Sequence, residues 1–205
     1  MEEKREEILL KATQVYTRYG IRSVTMDDLA RELSVSKKTI YNYFKDKDEI
    51  VQEIIKTKLE ADRFNCGLNE STAKNAIEEL LGISQFVADM VKNVHPSVFY
   101  DLQKYHPKAW ELLNTHKWEF LFGQILKNIK RGIDEGLYRD NMNPDLVARL
   151  HLAKSDLVFG GEFFPIDQSN IEEIFTELFR LQIRGMASEK GLEYLKQRLN
   201  NQENA

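Results

Sequence analysis

The sequence predicts an all-α protein in two parts, a three-helix N-terminal domain over residues 1–47 and a larger helical domain over residues 48–205. Apolar residues recur at three- and four-residue spacing along much of the chain, as they do on the buried face of an amphipathic helix. The 205 residues include only 10 glycines and 4 prolines, the residues that most often interrupt helices. Hydrophobic residues make up 42% and charged residues 30%, which favours a folded helical chain over a disordered one.

The first helix is expected to run from about Glu2 to Tyr19. Acidic residues fill its first turn, where the helix dipole favours negative charge. Gly20 is expected to end it, because glycine readily adopts the left-handed conformation that follows many helices. Its apolar residues follow the helical repeat: Ile8, Ala12, Val15, Tyr16 and Tyr19.

A second, shorter helix is expected to follow and to lead into a tight turn. Thr25 is a suitable N-cap, and Asp28 stands at the spacing of a capping box. The helix is expected to end near Leu33. Ser34-Val35 then forms the turn that separates it from the next helix.

The third helix is expected to run from its cap, Ser36, to about Tyr43. An eight-residue helix is about 12 Å long, and a DNA major groove is about 12 Å wide, so such a helix fits the groove. Six apolar residues can form a small core beneath it: Leu29, Ala30, Leu33, Val35, Ile40 and Phe44. Seven residues stay outside that core: Lys37, Lys38, Thr39, Tyr41, Asn42, Tyr43 and Lys45.

These outer residues have the chemistry of a DNA-reading surface. Lysines can bind phosphates or guanine edges, and Asn42 can form a bidentate pair with adenine. The Thr39 methyl group and the tyrosine rings can contact thymine methyls or the backbone. The alternative is an ordinary solvated face on a small helical bundle.

The charge distribution is compatible with this interpretation, although the net charge is −4. Residues 1–60 contain 12 Lys+Arg and 12 Asp+Glu, whereas residues 61–205 contain 17 and 21. The negative excess therefore lies in the second part of the chain. Between Ser36 and Lys47 there are four lysines and one acid, Asp46, a local basic face that can contact phosphates.

The run from Ile8 through Ile50 resembles the N-terminal domain of the TetR family of bacterial transcriptional regulators. The segment that carries the resemblance is TMDDLARELSVSKKTIYNYFKDKDEI, which contains the helix-turn-helix pattern and the Tyr-x-Tyr-Phe-Lys-x-Lys tail in order. The family usually has glycine where this chain has Ser34. A non-glycine residue in a left-handed turn costs about 1 kcal/mol, which a domain of this size can absorb.

The resemblance implies roles for nine residues. Five are expected to anchor the DNA backbone: Thr25, Ser36, Lys38, Tyr41 and Lys47. Four are expected to touch bases: Lys37, Thr39, Asn42 and Tyr43.

A further series of helices is expected in the second part. The first runs from Asp46 to about Phe64, and in the family it links ligand state to the DNA-binding helices. The stretch CGLNEST, residues 66–72, is expected to be an internal boundary, because Gly, Asn and Ser break the helical pattern. The next helices are expected from Ser71 or Thr72 to about Val94, where Pro96 interrupts, then over Ser97 to Tyr105, and from Pro107 to about Glu135 with Gly136 as its stop.

Two later helices are expected to form a dimer interface. Asn143 and Pro144 make a clear helix start, and the stretch Ile129 to Leu150 again resembles the TetR family at its first dimerisation helix. The helices from Pro144 to Phe159 and from about Ser169 to Met186 carry more apolar residues than one core-facing stripe needs. The alternative is that both are buried within a monomer. A last helix is expected from Glu189 to Leu199.

The family resemblance also implies an apolar small-molecule pocket in the second part of the chain. Phe86, Met90, Trp110 and Trp118 are the residues predicted to line it. The alternative is that these side chains belong to the ordinary core, since aromatic residues at helical spacing usually do.

The sequence gives no support for catalysis, a metal or a cofactor. The four histidines form no His-Glu-x-x-His pair or other multi-ligand set, and there is no nucleophile elbow or phosphate-binding glycine loop. No apolar run approaches the roughly 20 residues of a membrane span. A single cysteine, Cys66, permits no intrachain disulfide, which favours a cytoplasmic location.

The sequence thus predicts a cytoplasmic homodimeric regulator that binds a palindromic double-stranded DNA operator. As the family resemblance implies, it is expected to be a repressor released by a small-molecule effector. An activator or a ligand-independent family member would show the same residues. The alternative from another class is a helical small-molecule-binding protein or enzyme with a vestigial DNA-binding domain.

Overall fold

The computed structural model describes residues 2–95, 97–159 and 171–203. Within these ranges the regular structure is helical, and the isolated bridge between Tyr138 and Ala187 extends into no strand. The helices are α1 (Glu2–Tyr19), α2 (Met26–Glu32), α3 (Lys37–Tyr41), α4 (Lys47–Thr72), α5 (Ala76–Lys92), α6 (Ser97–Tyr105), α7 (Pro107–Thr115), a π-helical segment (His116–Leu121), α8 (Phe122–Asp134), α9 (Pro144–Phe159), α10 (Ile171–Met186) and α11 (Glu189–Glu203).

The N-terminal helices begin and end close to their predicted positions. Gly20 has a φ of 83°, as expected of the residue that ends α1. α2 starts at the predicted cap, Thr25, and α3 starts at Ser36. α3 is shorter than predicted, because Asn42 is already its C-terminal cap.

The predicted boundary at residues 66–72 is wrong. α4 continues through this stretch to Thr72, eight residues beyond the predicted end at Phe64. Its polar residues find partners that keep it helical. The Thr72 hydroxyl donates to the Leu68 carbonyl at 2.8 Å, and the Asn69 side-chain amide donates to the Glu79 carbonyl of α5 at 2.8 Å. α5 therefore starts later than predicted, after Asn75.

The long helix predicted over Pro107 to Glu135 forms as α7, the π-helical segment and α8, and it ends at Gly136, whose φ is 69°. α9 has its predicted bounds. The predicted interruption at Pro96 and the predicted start of α10 at Ser169 lie outside the described residues. α11 runs past its predicted end at Leu199.

Two hydrophobic cores hold the helices together. The first is formed by α1, α2 and α3 with the first half of α4, and it also takes in Leu102 of α6 and Ala109 of α7. The second is formed mainly by α5 and by α8 to α11. The division at residues 47 and 48 remains a prediction, but the first core extends across it through Ile50, Val51, Ile54 and Ile55. The N-terminal helices therefore share buried surface with α6 and α7.

Candidate nucleic-acid interface

A capping box fixes the start of α2. The Thr25 hydroxyl oxygen accepts from the Asp28 main-chain N–H at 3.1 Å, and the Asp28 carboxylate accepts from the Thr25 main-chain N–H at 2.9 Å. The hydrogen bonds from Thr25 lower the pKa of Asp28. Such a cap satisfies main-chain donors that the first helical turn leaves without partners. The Thr25 side chain is thereby held at the exposed N-terminal end of α2.

The turn between α2 and α3 is tight and locally bonded. Ser34 lies in the left-handed region with a φ of 54°, where the family usually has glycine. The next residue, Val35, donates its main-chain N–H to the Ala30 carbonyl at 3.0 Å. Ser36 then accepts from the Thr39 main-chain N–H at 3.0 Å, which caps α3. This turn orients α3 relative to α2.

α3 has a buried side and an exposed side. Ile40 is fully buried in the first core, and Phe44, just beyond the helix, is also buried. Thr39 and Tyr43 are partly buried. The remaining outer residues are exposed, as predicted from the helical pattern: Lys37, Lys38, Tyr41, Asn42 and Lys45.

The exposed lysines differ in their surroundings. The Lys37 ammonium pairs with the Asp27 carboxylate of α2 at 2.8 Å, and this hydrogen bond raises the pKa of Lys37. The ammonium groups of Lys38 and Lys45 make no hydrogen bond or ion pair with the described part of the chain. Lys38 and Lys45 are therefore the cations most available to an incoming phosphate, whereas Lys37 must leave Asp27 to reach a base.

Lys47 has an internal role that the sequence reasoning missed. Its ammonium donates to the main-chain carbonyls of Ile21 at 2.5 Å and Val24 at 2.6 Å, and it lies 5.5 Å from the centre of the Tyr16 ring. Burial lowers the pKa of Lys47, while the nearby Asp101 carboxylate acts in the opposite direction. Two of the three ammonium protons are thus engaged within the protein, whereas the family resemblance predicted that Lys47 contacts the DNA backbone.

Asp101 of α6 is a second residue that the sequence reasoning missed. Its side chain is buried, and its carboxylate accepts from the Arg22 main-chain N–H at 2.9 Å. The only sequence signal is an acid within an amphipathic helix, which does not identify a partner 79 residues away. Asp101 joins the body of the protein to the loop that leads into α2.

The four residues predicted to line an effector pocket differ in their burial. Trp110 is partly buried and packs against the first core. Phe86, Met90 and Trp118 are each 39% exposed. A separate depression of about 570 Å³ lies on α8, and none of the four lines it; its residues are Gly123, Leu126, Lys127, Lys130, Arg131, Asp134 and Glu135.

Two histidines join α4 to the helices that pack on it. His106, at the start of α7, lies 2.5 Å from the Asp48 carboxylate, and His116, in the π-helical segment, lies 2.6 Å from the Asp62 carboxylate. The four residues form two separate pairs. Across residues 2–95, 97–159 and 171–203, no three His, Cys, Asp or Glu side chains are grouped so that they could hold a metal ion.

None of the helices in the described ranges is both long enough and apolar enough to cross a membrane.

The fold and the exposed face of α3 define a class of protein. The N-terminal part contains a helix-turn-helix unit, made of a capped helix, a tight turn and a short helix with exposed lysine, asparagine and tyrosine. This motif places its second helix in the major groove of DNA. The unit is mounted on a larger helical body. This is the architecture of a helix-turn-helix DNA-binding protein.

Comparisons with known proteins show which regulators this chain resembles. Residues 8–54 match the family model of bacterial regulatory proteins, tetR family. Over 172 residues the chain is 23% identical to the uncharacterized HTH-type transcriptional regulator YvaF of Bacillus subtilis (strain 168), covering 82% of this chain and 88% of YvaF. Over 155 residues it is 25% identical to the HTH-type transcriptional repressor KstR2 of Mycobacterium tuberculosis (strain ATCC 25618 / H37Rv), covering 71% of this chain and 74% of KstR2.

A solved structure shows the same fold over most of its length. The transcriptional regulator FadR from Bacillus subtilis, in complex with stearoyl-CoA, matches with a TM-score of 0.67 at 16% identity, covering 88% of this chain and 98% of FadR. Residues 8–54 therefore match the N-terminal region of the TetR family, and the chain is similar to HTH-type transcriptional regulators over most of its length, which confirms the resemblance predicted from residues 8–50.

Proposed function

We propose that this protein is a homodimeric repressor that binds a palindromic operator and is released by a small-molecule effector. The observation that carries the proposal is the division of α3. Ile40 is fully buried, whereas Lys38, Tyr41 and Asn42 are exposed on the same short helix. A helix held from beneath with polar and cationic groups outside is suited to enter a major groove.

The proposed DNA contacts fall into two groups. Thr25, Ser36, Lys38 and Tyr41 bind the backbone, where lysines and hydroxyl groups commonly contact phosphates. Lys47, the fifth predicted backbone anchor, is left out of this group because its ammonium donates to the Ile21 and Val24 carbonyls. Lys37, Thr39, Asn42 and Tyr43 face base edges. Lys37 exchanges its ion pair with Asp27 for a base or phosphate contact. The side chains of Lys37 and Asp27 are both exposed. Because a surface ion pair is worth only about 0–1 kcal/mol, this exchange costs little.

The second copy is proposed to bind through α9 and α10. Leu146 and Leu150 of α9 are 56% and 63% exposed, and Leu181 of α10 is 66% exposed. Leu157, on the same helix as the first two, is 51% exposed. Two helices from each subunit would bury these leucines in a four-helix interface. The two reading helices would then face half-sites about 34–36 Å apart on one side of the DNA.

Effector release is proposed to act through α4. This helix begins beside the helix-turn-helix unit and runs 26 residues into the body. A ligand that binds better to one arrangement of the body shifts α4 and changes the distance between the two reading helices. Coupling of about 1–3 kcal/mol changes DNA affinity roughly 5- to 150-fold. Phe86, Met90, Trp110 and Trp118 remain the proposed contact residues for an effector.

Two similar proteins support this proposal. KstR2 is named a repressor, and FadR was crystallised with stearoyl-CoA, a ligand with a long apolar chain. We propose an effector for this protein that likewise carries an apolar group, since the four residues named for its site are apolar or aromatic.

The experiment that tests the proposal is selection of bound fragments from a random DNA library, at two salt concentrations, with the full-length protein. An enriched inverted repeat whose binding weakens steeply with salt is the expected result, because phosphate contacts release counterions. No enrichment from a folded, dimeric protein would overturn the proposal and leave a helical ligand-binding protein as the alternative.

Asn42 provides a sharper test of base reading. Asn42→Ala is expected to relax the preference at one or two base pairs per half-site, a loss of about 1–3 kcal/mol of discrimination. Lys38→Ala is the matched variant on the same helix, and it should weaken binding to all DNA sequences alike. Repeating the selection with both variants measures the difference. Identical selected sequences for Asn42→Ala and the parent would show that Asn42 does not read a base.

A further inference from the structure

The loop between α1 and α2, residues 20–24, is held from two sides by charged groups. This segment, here called the junction loop, leads directly into Thr25, the cap of α2. From α4, the Lys47 ammonium donates to the Ile21 and Val24 carbonyls. From α6, the Asp101 carboxylate accepts from the Arg22 main-chain N–H. The body of the protein therefore reaches the helix-turn-helix unit through this loop.

Lys47 and Asp101 meet at one peptide group. The Ile21 carbonyl and the Arg22 N–H belong to the same planar unit, and it is trans. In a trans peptide the C=O and N–H point in opposite directions, so the ammonium and the carboxylate lie on opposite sides of it. Each makes a charge-assisted hydrogen bond, which is stronger than a bond between neutral groups. The peptide is thus fixed between an acid of α6 and a base of α4.

The surroundings of this peptide restrict its movement. Asp101 is only 4% exposed, and its carboxylate also accepts from the Ser97 hydroxyl at 3.3 Å. A charge buried this deeply keeps its partners, because losing one leaves a desolvated group unpaired. The Arg22 side chain donates to the Tyr105 hydroxyl of α6 at 2.6 Å. The junction loop is therefore bonded to the middle of α6 at Asp101 and to its C-terminal end at Tyr105.

Gly20 allows α6 to come this close. A Cβ atom at residue 20 would lie 2.4 Å from the Ser97 hydroxyl oxygen and 3.5 Å from the Asp101 carboxylate. Its φ of 83° also favours glycine. Beside it, the His95 main-chain N–H donates to the Thr17 carbonyl of α1 at 2.7 Å. The close approach of α6 to the end of α1 thus depends on a glycine.

We propose that Asp101 and Lys47 are positioning residues for DNA binding, which hold the Ile21–Arg22 peptide and thereby fix the reading helix relative to the body. The inference rests on the proposed function, since it concerns the spacing of two reading helices in a dimer. α2 and α3 move as one unit because they share a core and a bonded turn. The orientation of that unit depends on the position in which the junction loop holds Thr25, the N-cap of α2.

This assignment predicts a particular defect. If the peptide is released, every side chain that contacts DNA remains, but the two reading helices no longer have one fixed separation. Binding to the best operator weakens, and operators with a spacer one base pair longer or shorter are rejected less strongly. A variant that merely lowered stability would keep the spacing preference of the folded fraction.

The test uses the full-length dimer and a set of inverted repeats, from the selection above, with altered spacers. Asp101→Ala and Lys47→Ala are expected to weaken binding to the optimal spacer about ten-fold and to reduce the preference for it. Their dependence on salt should match the parent, because no phosphate contact is lost. Asp89→Ala in α5 is the control for the change in charge, since Asp89 is exposed and bonds only within its own helix.

Asp101→Asn separates positioning from folding. The amide oxygen can still accept from the Arg22 N–H, so this variant should fold and show a smaller loss of spacing preference than Asp101→Ala. If Asp101→Ala and Lys47→Ala keep the parent affinity and spacing preference, the inference is wrong. A salt slope lower by about one for each Lys47 lost would assign Lys47 to a phosphate and also overturn it. A parent protein that selects no inverted repeat overturns the proposed function itself.

Discussion

The two hydrophobic cores differ in the surface that lies outside them. Around the first core, α3 exposes lysines and an asparagine, with Tyr41 45% exposed. Around the second core, α9 and α10 expose leucines: Leu146, Leu150, Leu157 and Leu181, each more than half exposed. Both surfaces belong to well-packed helices, so the contrast does not come from poor folding.

This difference indicates two kinds of partner. A cationic and polar face gains from phosphates and base edges. An apolar face gains from another apolar face, at about 25 cal/mol for each Å² removed from water. Contiguous exposed apolar surface usually marks an interaction site. We therefore infer that the first surface receives DNA and the second a copy of the chain.

The largest effect is expected from charging the leucine surface. The double variant Leu150→Glu with Leu181→Glu should raise the dimer dissociation constant roughly 100-fold or more, because each carboxylate would be buried without a partner. Analytical ultracentrifugation over a range of concentrations measures the change. The protein should stay helical, since both leucines are exposed in the isolated subunit.

Leu10→Glu is the matched control for this double variant. Leu10 of α1 is 64% exposed, nearly the same as Leu150, but it lies on the N-terminal part of the molecule. It should leave the dimer intact. Equal dimer stability in the parent and the double variant would show that α9 and α10 are not the interface.

The N-terminal unit could be predicted from the sequence because its signals are local. The capping box joins Thr25 to Asp28, and the Ser36 cap reaches Thr39, each within three residues. The buried and exposed sides of α3 follow from helical spacing alone. The left-handed conformation of Ser34 was expected from the family resemblance, because the family usually has glycine at this position.

The body and the junction could not be predicted as well because their signals are distant. The extension of α4 depends on Asn69, which bonds ten residues away, and on an ion pair between Glu70 and Lys127, 57 residues away. Lys47 bonds to carbonyls 23 and 26 residues earlier. Periodicity indicates which face of a helix is apolar, but it does not indicate which neighbour covers that face.

Two glycines of α8 test how tightly the second core is packed. A Cβ at Gly132 would lie 2.1 Å from the ring of Tyr138, whereas nothing lies within 4 Å of one at Gly123. Gly132→Ala is expected to destabilise the protein by about 2 kcal/mol, since overpacking costs more than the gain in helix propensity. Gly123→Ala is expected to stabilise it by about 0.5–1 kcal/mol.

Thermal unfolding of both glycine variants measures the difference. Each kcal/mol shifts Tm by about 2–4 °C for a protein of this size. The buried Tyr138 ring cannot move aside easily, because its hydroxyl donates to the Ala76 carbonyl at 3.1 Å. A stabilised Gly132→Ala variant would mean that the second core is looser than the first.

His151, on the side of α9 that meets α10, predicts a pH dependence. Burial lowers its pKa from 6.5 to about 4, and its ring lies 2.6 Å from the Gln182 side-chain oxygen. His151 therefore binds a proton more readily in the unfolded chain than in the folded one. The stability that the neutral His151 ring contributes is complete above pH 6.5 and is lost as the pH falls towards 4. Between pH 7 and pH 5 the loss is about 2 kcal/mol.

Urea unfolding at the two pH values, at one protein concentration, measures this loss. His151→Phe keeps a ring against Phe179 but has no proton to bind, so its stability should change less between the two pH values. If His151→Phe and the parent lose the same stability between pH 7 and pH 5, the pH dependence comes from other groups.

The smallest effect is expected from removing one helix N-cap beside each core, Thr25 of α2 and Asn75 of α5. Thr25→Ala and Asn75→Ala each remove an N-cap whose side-chain oxygen accepts from the main chain, at 3.1 Å and 3.0 Å. Each should lower the free energy of unfolding by about 1 kcal/mol. Only Thr25→Ala should also weaken binding to every DNA sequence, because Thr25 alone lies on the proposed DNA surface. The dependence on salt should stay the same, since the lost hydroxyl is neutral.

Thr25→Ser makes this comparison decisive, because serine keeps both the cap and the hydroxyl. It should restore stability and DNA affinity together. If Asn75→Ala weakened DNA binding as much as Thr25→Ala at equal stability, the loss would come from the fold as a whole. Thr25 would then have no role at the DNA beyond its cap, and the contrast between the two regions would rest on α3 alone.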